Sequence, residues 1–446
     1  MKKHLTNAAY SVLDYASYPL GMLLVAPIVL HRLGASEYGL WMISTAVISA
    51  GGIIASGFSD ANIQHVAHLR GTGRLDLVPR TVRSILGINL VLGLTLASMA
   101  WIAAPYAASH IAGVHRASAE ETLASLRIAS VSILLRSIET VGVSTQRAFE
   151  SYGGAVKIST AVRLLTLASA AALARSGHGT TTILLATAIF LALGTCLQFH
   201  QLGRYFNTIP IRPLFRCAET RILLRKGVFV WVQELGAVVF GQLDRILLGI
   251  SMGALAVAPY SLCVQFAQPI FGLSASSLHF LFPYLSGRAS TLSSVGLKRT
   301  LLKAFCCNLL LVASGAGLLL LLGNRLIRLW AGAAVAQSAA GVLKPIILGS
   351  ALMGLSVTGT YAMQALGRFR EVALISLGSR TAMLLLMIQL LHRMGPQGLA
   401  VSRLCYGSVA LLVYLPLLRQ LFAGKIQRGS ISPLPIPYSV QEEAQP

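Results

Sequence analysis

The chain is poor in charge and poorer still in acid. Charged residues occupy 11% of its 446 positions, and only 14 of them are Asp or Glu. A soluble domain typically carries about 25% charged residues, so the surface of a water-soluble protein of this length could not be clothed with what is here. No G-x-x-x-x-G-K-[ST] sequence occurs, which removes a Walker-type phosphate cradle, and no H-E-x-x-H occurs, which removes the helical zinc motif of a metalloprotease. The six cysteines, Cys196, Cys217, Cys263, Cys306, Cys307 and Cys405, have no spacing of a zinc site or disulfide framework. They read as small apolar packing residues. The start also lacks a cleavable leader pattern. Met1-Lys2-Lys3 precedes an apolar run, but Asp14 interrupts that run and no small-residue cleavage site closes it. A retained first helix is the expectation.

What is present is length in apolar runs. Hydrophobic residues make up 55% of the chain and the mean hydropathy is +0.71. A helix needs roughly 20 apolar residues to cross the hydrocarbon core of a bilayer. Twelve such runs are predicted, at 9–30, 39–60, 84–105, 123–145, 158–175, 181–202, 227–250, 254–284, 304–323, 343–366, 372–391 and 398–418. Almost nothing remains for a soluble catalytic domain. The fold class is therefore an all-α polytopic membrane protein of about twelve spanning helices.

Lys and Arg together number 36, and the formal net charge is +22. Such an excess can indicate nucleic acid, but its placement argues otherwise. With the N-terminus inside, the cytoplasmic segments hold 23 of these cations and the outer segments 8. This is the bias of the positive-inside rule. It predicts both termini in the cytoplasm, no nucleic-acid partner, and anionic lipid headgroups as the ordinary partner of the basic loops.

The basic connection from Gly203 to Lys226, with Pro210 and Pro213, falls near the middle of the chain. The predicted organisation is a six-helix bundle over 1–203, a basic cytoplasmic linker over 204–226, a second six-helix bundle over 227–421 and a disordered, proline-rich tail over 422–446. A weak internal repeat supports the division. Arg147 to Tyr152 corresponds to Gln364 to Phe369 at an offset of 217, and the same offset aligns Ile158-Ser159 with Ile375-Ser376 and Arg163 with Arg380. Leu33-Gly34-Ala35 with Tyr38 is echoed by Met252-Gly253-Ala254 with Tyr260. Between spans, Ala61 to Arg83 is predicted as an interfacial helix. Asn324 to Gly341 is expected to be the longest outer loop, with Trp330 at headgroup level.

Charges inside a bilayer are costly and mark functional sites by default. The fourth span carries Arg136 and Glu139, an i,i+3 pair that can simply neutralise itself. The fifth carries Arg163, the seventh Glu234, Asp244 and Arg245, the eleventh Arg380 and the first Asp14. Arg403, close to the start of the twelfth, is expected to snorkel to the interface. Arg163 and Arg380 have no acidic residue within a helical turn and sit at matched repeat positions. They are expected to face a watered cavity or an anionic ligand. Arginine is also the side chain best shaped to fork onto phosphate.

The ordered set Leu33 to Trp41, Gly57 to Ala61, Asp244 to Gly249, Leu329 to Gly332 and Gln364 to Arg368 resembles the polysaccharide-transporter branch of the multidrug/oligosaccharidyl-lipid/polysaccharide (MOP) exporter superfamily, with the Wzx-type O-antigen flippases as the nearest group. The resemblance implies two six-helix bundles around a central cavity, no enzymatic activity, and residence in a bacterial inner membrane. It implies transfer of an undecaprenyl-pyrophosphate-linked oligosaccharide between leaflets, for lipopolysaccharide or another surface polymer. Its partners would be that lipid and membrane lipids, with a polysaccharide polymerase and chain-length regulator acting beside it. Arg136, Arg163, Arg245 and Arg380 are the positions for a cationic substrate site. Asp14, Glu139, Glu234 and Asp244 are the positions for coupling to Na+ or H+, with no other cofactor and no metal site. A lipid II-type flippase and a cation-coupled multidrug exporter remain open as alternatives. A polymerase or ligase fits poorly, because the outer segments hold too few acidic residues for a catalytic site.

Overall fold

A computed structural model describes residues 2–56, 58–71, 73–111, 119–149, 152–204, 212–214, 236, 239–278, 281, 285, 294–366 and 368–422. Among the described residues every regular element is helical. The helices are α1 (Lys2–Ser56), α2 (Ser59–Gly71), α3 (Val78–Ile111), α4 (Ala119–Ala148), α5 (Tyr152–Arg175), α6 (Thr180–Gly203), α7 (Asp244–Met252), α8 (Ala254–Leu278), α9 (Ser294–Ala331), α10 (Ala333–Ala365), α11 (Phe369–Met394), α12 (Pro396–Ala410) and α13 (Tyr414–Phe422). A π-helical turn, Val239–Leu243, leads directly into α7. Nine stretches among the described residues are long and apolar enough to cross a membrane. The predicted fourth span, in α4, is not among them, because Arg127, Arg136, Glu139 and many serines dilute it. It nevertheless forms a full helix packed against α1, α2, α3 and α6. Its polar residues are tolerated because they face protein, whereas lipid-facing helices such as α9 present bare leucine: Leu310 and Leu321 are 73% and 80% exposed.

The helices are joined by very tight turns. α1 contains the first two predicted spans, which change direction at Gly34, where φ is 86° and ψ 172°. Gly253 between α7 and α8 has φ 80° and ψ 172°. An L side chain is strained in that backbone region, so glycine is required at both. Gly177, Gly332 and Gly395 make the turns before α6, α10 and α12 in the same positive-φ region. These five positions mark the glycine-turn end, the end that the charge bias predicts to be outer.

Here the structure corrects the expected loop at Asn324 to Gly341. α9 runs on to Ala331 and α10 starts at Ala333, so the connection is Gly332 alone. The local reason is that the segment is rich in Leu and Ala, good helix formers. Ala61 to Arg83 overlaps α2, which is docked on α4. Asn62 donates to Ser144 Oγ at 2.8 Å and Thr145 Oγ1 at 3.0 Å, and Arg70 donates to the Ala148 carbonyl and lies 5.0 Å from the Phe149 ring centre. Of the predicted linker, Arg204 and residues 212–214 are described, and the latter three lie against α3. They clip to the start of α3, with Arg83 Nε donating to the Arg212 carbonyl and Leu214 N to the Arg83 carbonyl. The predicted disordered tail lies outside the described residues beyond 422. Of the described cysteines, Cys263 is buried, while Cys196, Cys306 and Cys307 are exposed on helix surfaces instead of packed inside.

By contact, the chain divides into two compact units. One comprises 1–266, 322–344 and 384–402, the other 267–321, 345–383 and 403–446. Each has a helix-to-helix asparagine clamp of the same design. In the first, Asn89 on α3 donates to the Ser137 carbonyl at 3.0 Å and to Thr140 Oγ1 at 3.1 Å on α4. In the second, Asn308 on α9 donates to the Gly354 carbonyl at 2.9 Å and to Thr358 Oγ1 at 3.1 Å on α10. Close helix approach is arranged from opposite sides. A methyl on Gly93 of α3 would overlap Ser137, whereas a methyl on Gly354 of α10 would press on Val312 of α9 at 3.0 Å. Small residues at crossing points are how membrane helices pack closely. The repeat seen in the turn sequences thus extends to hydrogen bonds that no sequence match reveals.

Candidate functional site

The predicted charged residues fall into three groups. The first group converges in the unit containing α1. Arg136 on α4 reaches Glu139 one turn on, Nη1 to Oε2 2.6 Å, with the side chains 31% and 3% exposed. A methyl on Gly52, in the second part of α1, would meet Arg136 Cγ at 2.9 Å, which fixes the arginine against that helix. Arg163 on α5 is half-buried. The register of α1 against α5 is set by Gly21 seated on Leu167. Tyr18 and Arg163 each lie one helical turn before those contacts, so they are neighbours. Arg245, at the start of α7, completes the set. The phenol of Tyr18 is within electrostatic reach of Arg245, Arg136 and Arg163 together. Three guanidinium groups from three helices therefore act on one tyrosine of a fourth, which is itself 40% exposed.

Two neutral residues extend this cluster. Tyr38, fully buried, accepts a hydrogen bond from Gln265 Nε2 of α8 at 3.0 Å and is also within reach of Arg245. The resulting patch presents cations with phenol and amide groups, a donor set suited to phosphate oxygens and hydroxyls. Tyr18, Tyr38 and Gln265 were not candidates from sequence. The usable signal was there for Tyr18 and Gln265, polar side chains inside runs of apolar residues, whereas Tyr38 lies in the connection between two runs.

Asp244 is completely buried beside Arg245, and its oxygens accept from Tyr260 Oη at 2.5 Å and from the Arg245 backbone N–H at 2.8 Å. It follows the π-helical turn, a distortion that often sits at functional positions. Arg380, on α11, belongs to the other unit. Asp14 lies in α1 with its side chain outside the described part, and Glu234 lies outside the described residues.

Arg163 and Arg380 each interact with other groups of the protein. One expectation is corrected. Arg403 does not snorkel. It is 6% exposed, because α12 buries this face against α10, where Gly349 leaves room for the Arg403 carbonyl. Among the described residues no group of three or more His, Cys, Asp or Glu side chains is placed to hold a metal ion.

This architecture has known counterparts. An inward-facing multidrug resistance MATE family transporter of the MOP superfamily superposes with a TM-score of 0.71 at 14% identity, over 94% of this chain and 99% of that one. The lipid II flippase MurJ, in an inward closed conformation, gives 0.72 at 15% identity over 92% and 87%. The eukaryotic MATE transporter AtDTX14 gives 0.61 at 14% identity over 94% and 98%. The fold is thus that of the MOP superfamily. Residues 29–305 match the family model described as polysaccharide biosynthesis protein, and the chain belongs to that family. No curated protein sequence matches it.

Proposed function

We propose that this protein is a flippase for undecaprenyl-pyrophosphate-linked oligosaccharide, of the Wzx type, in the inner membrane of a bacterium. The observation that supports the reading is that Arg136, Arg163 and Arg245 all lie within electrostatic reach of Tyr18 in helices of a polysaccharide biosynthesis protein. A pyrophosphate cannot cross hydrocarbon bare, because an unpaired charge there costs far more than thermal energy supplies. Guanidinium groups replace its water, and the phenol and amide groups of Tyr18, Tyr38 and Gln265 suit sugar hydroxyls. The polyprenyl tail remains in lipid. Movement follows by alternating access, as the duplicated helix pattern favours.

Arg380 is proposed as the second-repeat counterpart of Arg163 in the substrate path. Coupling to H+ or Na+ is assigned to Asp244, with Asp14 and Glu234 as further candidates. Glu139 is a weaker choice, since Arg136 already holds it. Asp244 is buried next to Arg245 of the cationic cluster and follows the π-helical turn, so a change in its charge acts directly on that cluster. A polymerase and a chain-length regulator would act on the delivered lipid.

The test is the lipid-linked oligosaccharide pool in a strain lacking the gene. Accumulation of undecaprenyl-linked repeat units in the inner leaflet, with loss of the surface polymer, is expected. An unchanged pool and polymer would remove the reading and direct attention to drug export.

A further inference from the structure

The second half of α3 presents large apolar side chains outward: Leu94, Met99, Trp101, Ile102 and Tyr106 are all exposed. This helix finishes at the glycine-turn end, where the Ile111 carbonyl oxygen is 3.4 Å from the Cβ position of Gly253. In a membrane such a face meets lipid, with Trp and Tyr at headgroup level. One cation stands beside it. Arg127 of α4 lays its guanidinium over the Trp101 ring, 5.0 Å from the centroid. Its Nε is buried without an acceptor, and among the described residues no hydrogen bond or ion pair holds the group. A ring face attracts a cation but leaves its charge uncompensated. The Nη groups are what remains open to a partner from outside the chain. Helical side chains tilt toward the helix N-terminus, which for α4 is the glycine-turn end, so this guanidinium reaches toward the headgroup layer. Arg127 and Arg136 are nine residues apart on α4, which puts them on opposite faces. The Arg127 edge is therefore separate from the Tyr18 cluster.

The groups around it fall in a definite order along the α3–α4 pair. Toward the membrane centre, Leu94 lies two turns from Trp101 on the same face of α3, and Val131 lies one turn from Arg127 on α4; both are exposed. An acyl chain laid along this edge meets apolar surface. In the other direction, Glu120 and Glu121 are exposed at the start of α4. Glu120 is two turns from Arg127 on the same face, about 10 Å of helix rise. The order is apolar, cation, anion. A zwitterionic phospholipid has the complementary order of acyl chain, phosphate, amine. Its phosphate and amine, with a contact at each end, span the two turns. A purely anionic headgroup would meet the carboxylates with no positive charge to offer them.

We propose that the α3–α4 edge at the glycine-turn end binds one phospholipid of the ethanolamine type. Its phosphate rests on Arg127, its glycerol region lies against Trp101, and its amine meets Glu120. Guanidinium suits the phosphate because it offers paired donors in one plane, and the Trp101 ring holds that plane in place. The site does not depend on what the protein transports.

The test is lipid binding to the full chain purified in detergent. Phosphatidylethanolamine and phosphatidylglycerol with the same acyl chains are titrated separately, and bound lipids are counted by native mass spectrometry. The parent should take up one phosphatidylethanolamine ahead of any further lipid and prefer it to phosphatidylglycerol. Arg127→Gln should weaken that first binding about ten-fold or more, from loss of a charge-assisted contact. Trp101→Leu should weaken it several-fold, and Glu120→Gln should erase the preference between the two lipids. Equal first binding by the parent and Arg127→Gln overturns the site. A parental preference for phosphatidylglycerol, or a preference that Glu120→Gln does not move, overturns the ethanolamine assignment. Displacement of the bound lipid by an equal concentration of glycerophosphoethanolamine, which has no acyl chains, would make this a soluble-headgroup site and overturn the lipid reading. If Arg127→Gln does not accumulate, Trp101→Leu at its exposed position decides instead, and unchanged binding there overturns the proposal equally.

Discussion

Arg136 is asked to do two things, hold Glu139 and meet an anion, and the two can be separated. Replacing Arg136 with Met leaves the Glu139 carboxylate at 3% exposure without its 2.6 Å partner. Breaking a buried pair by removing one member costs about 3–5 kcal/mol. Because 31% of the Arg136 side chain is exposed, the lower end, about 3 kcal/mol, is the expected loss. Replacing both members, Arg136→Met with Glu139→Leu, should recover most of it, since a well-packed apolar pair is commonly neutral or better than a buried ion pair. Thermal unfolding of the purified protein in detergent reads the stability, and transfer of lipid-linked oligosaccharide in cells reads the function. The single variant should melt lower than the parent and the double variant close to it, with transfer lost in both. A single variant as stable as the parent would refute the pairing argument. A double variant that transfers at the parental rate would remove Arg136 from the substrate path and leave it a structural role alone.

Other outcomes follow from the same reasoning. Arg245→Gln keeps a polar side chain beside buried Asp244 but removes the cation from the Tyr18 cluster; a roughly ten-fold or greater drop in transfer at equal expression is expected, from loss of one charge-assisted contact of about 1.5–3 kcal/mol, and parental transfer would argue against an anion site there. Asn308→Ala removes donors to the Gly354 carbonyl and Thr358 and an acceptor for Ser274; it should cost about 1–2 kcal/mol, visible as a lower melting temperature with the protein still inserted. Gly253→Val places a β-branched residue at φ 80° and should reduce accumulation or melting temperature by an amount on the order of 1–2 kcal/mol. A reporter active only outside the cytoplasm should be silent after Phe422 and active when inserted at Gly177; the reverse pattern would invert the orientation drawn from the charge bias.

Much of the architecture was legible because lipid simplifies the problem. A segment facing hydrocarbon must satisfy its own backbone, so apolar length alone announces a helix. The runs near 84–105 or 372–391 could hardly be anything else. The failures came where that rule gives no guidance. The segment at Asn324 to Gly341 was expected to be a loop, yet Leu and Ala carried the helix through to a single glycine. Arg403 looked like a snorkelling cation because of its place near a span's end, yet neighbouring helices buried it.

The sequence by itself determined that the chain is helical and membrane-embedded, that its cations gather in particular connections, and that its halves echo each other at Gly34 and Gly253. Each of these is a one-dimensional property, written in run length, charge count and local turn chemistry. Only the tertiary structure decided that Arg136, Arg163 and Arg245 share Tyr18, that Asn89 and Asn308 are equivalent clamps, and that Arg127 lies over Trp101. Those facts depend on which helix face meets which neighbour. In apolar helices that lack a polar stripe, nothing in the residue pattern names the face, and packing against the other helices makes the choice.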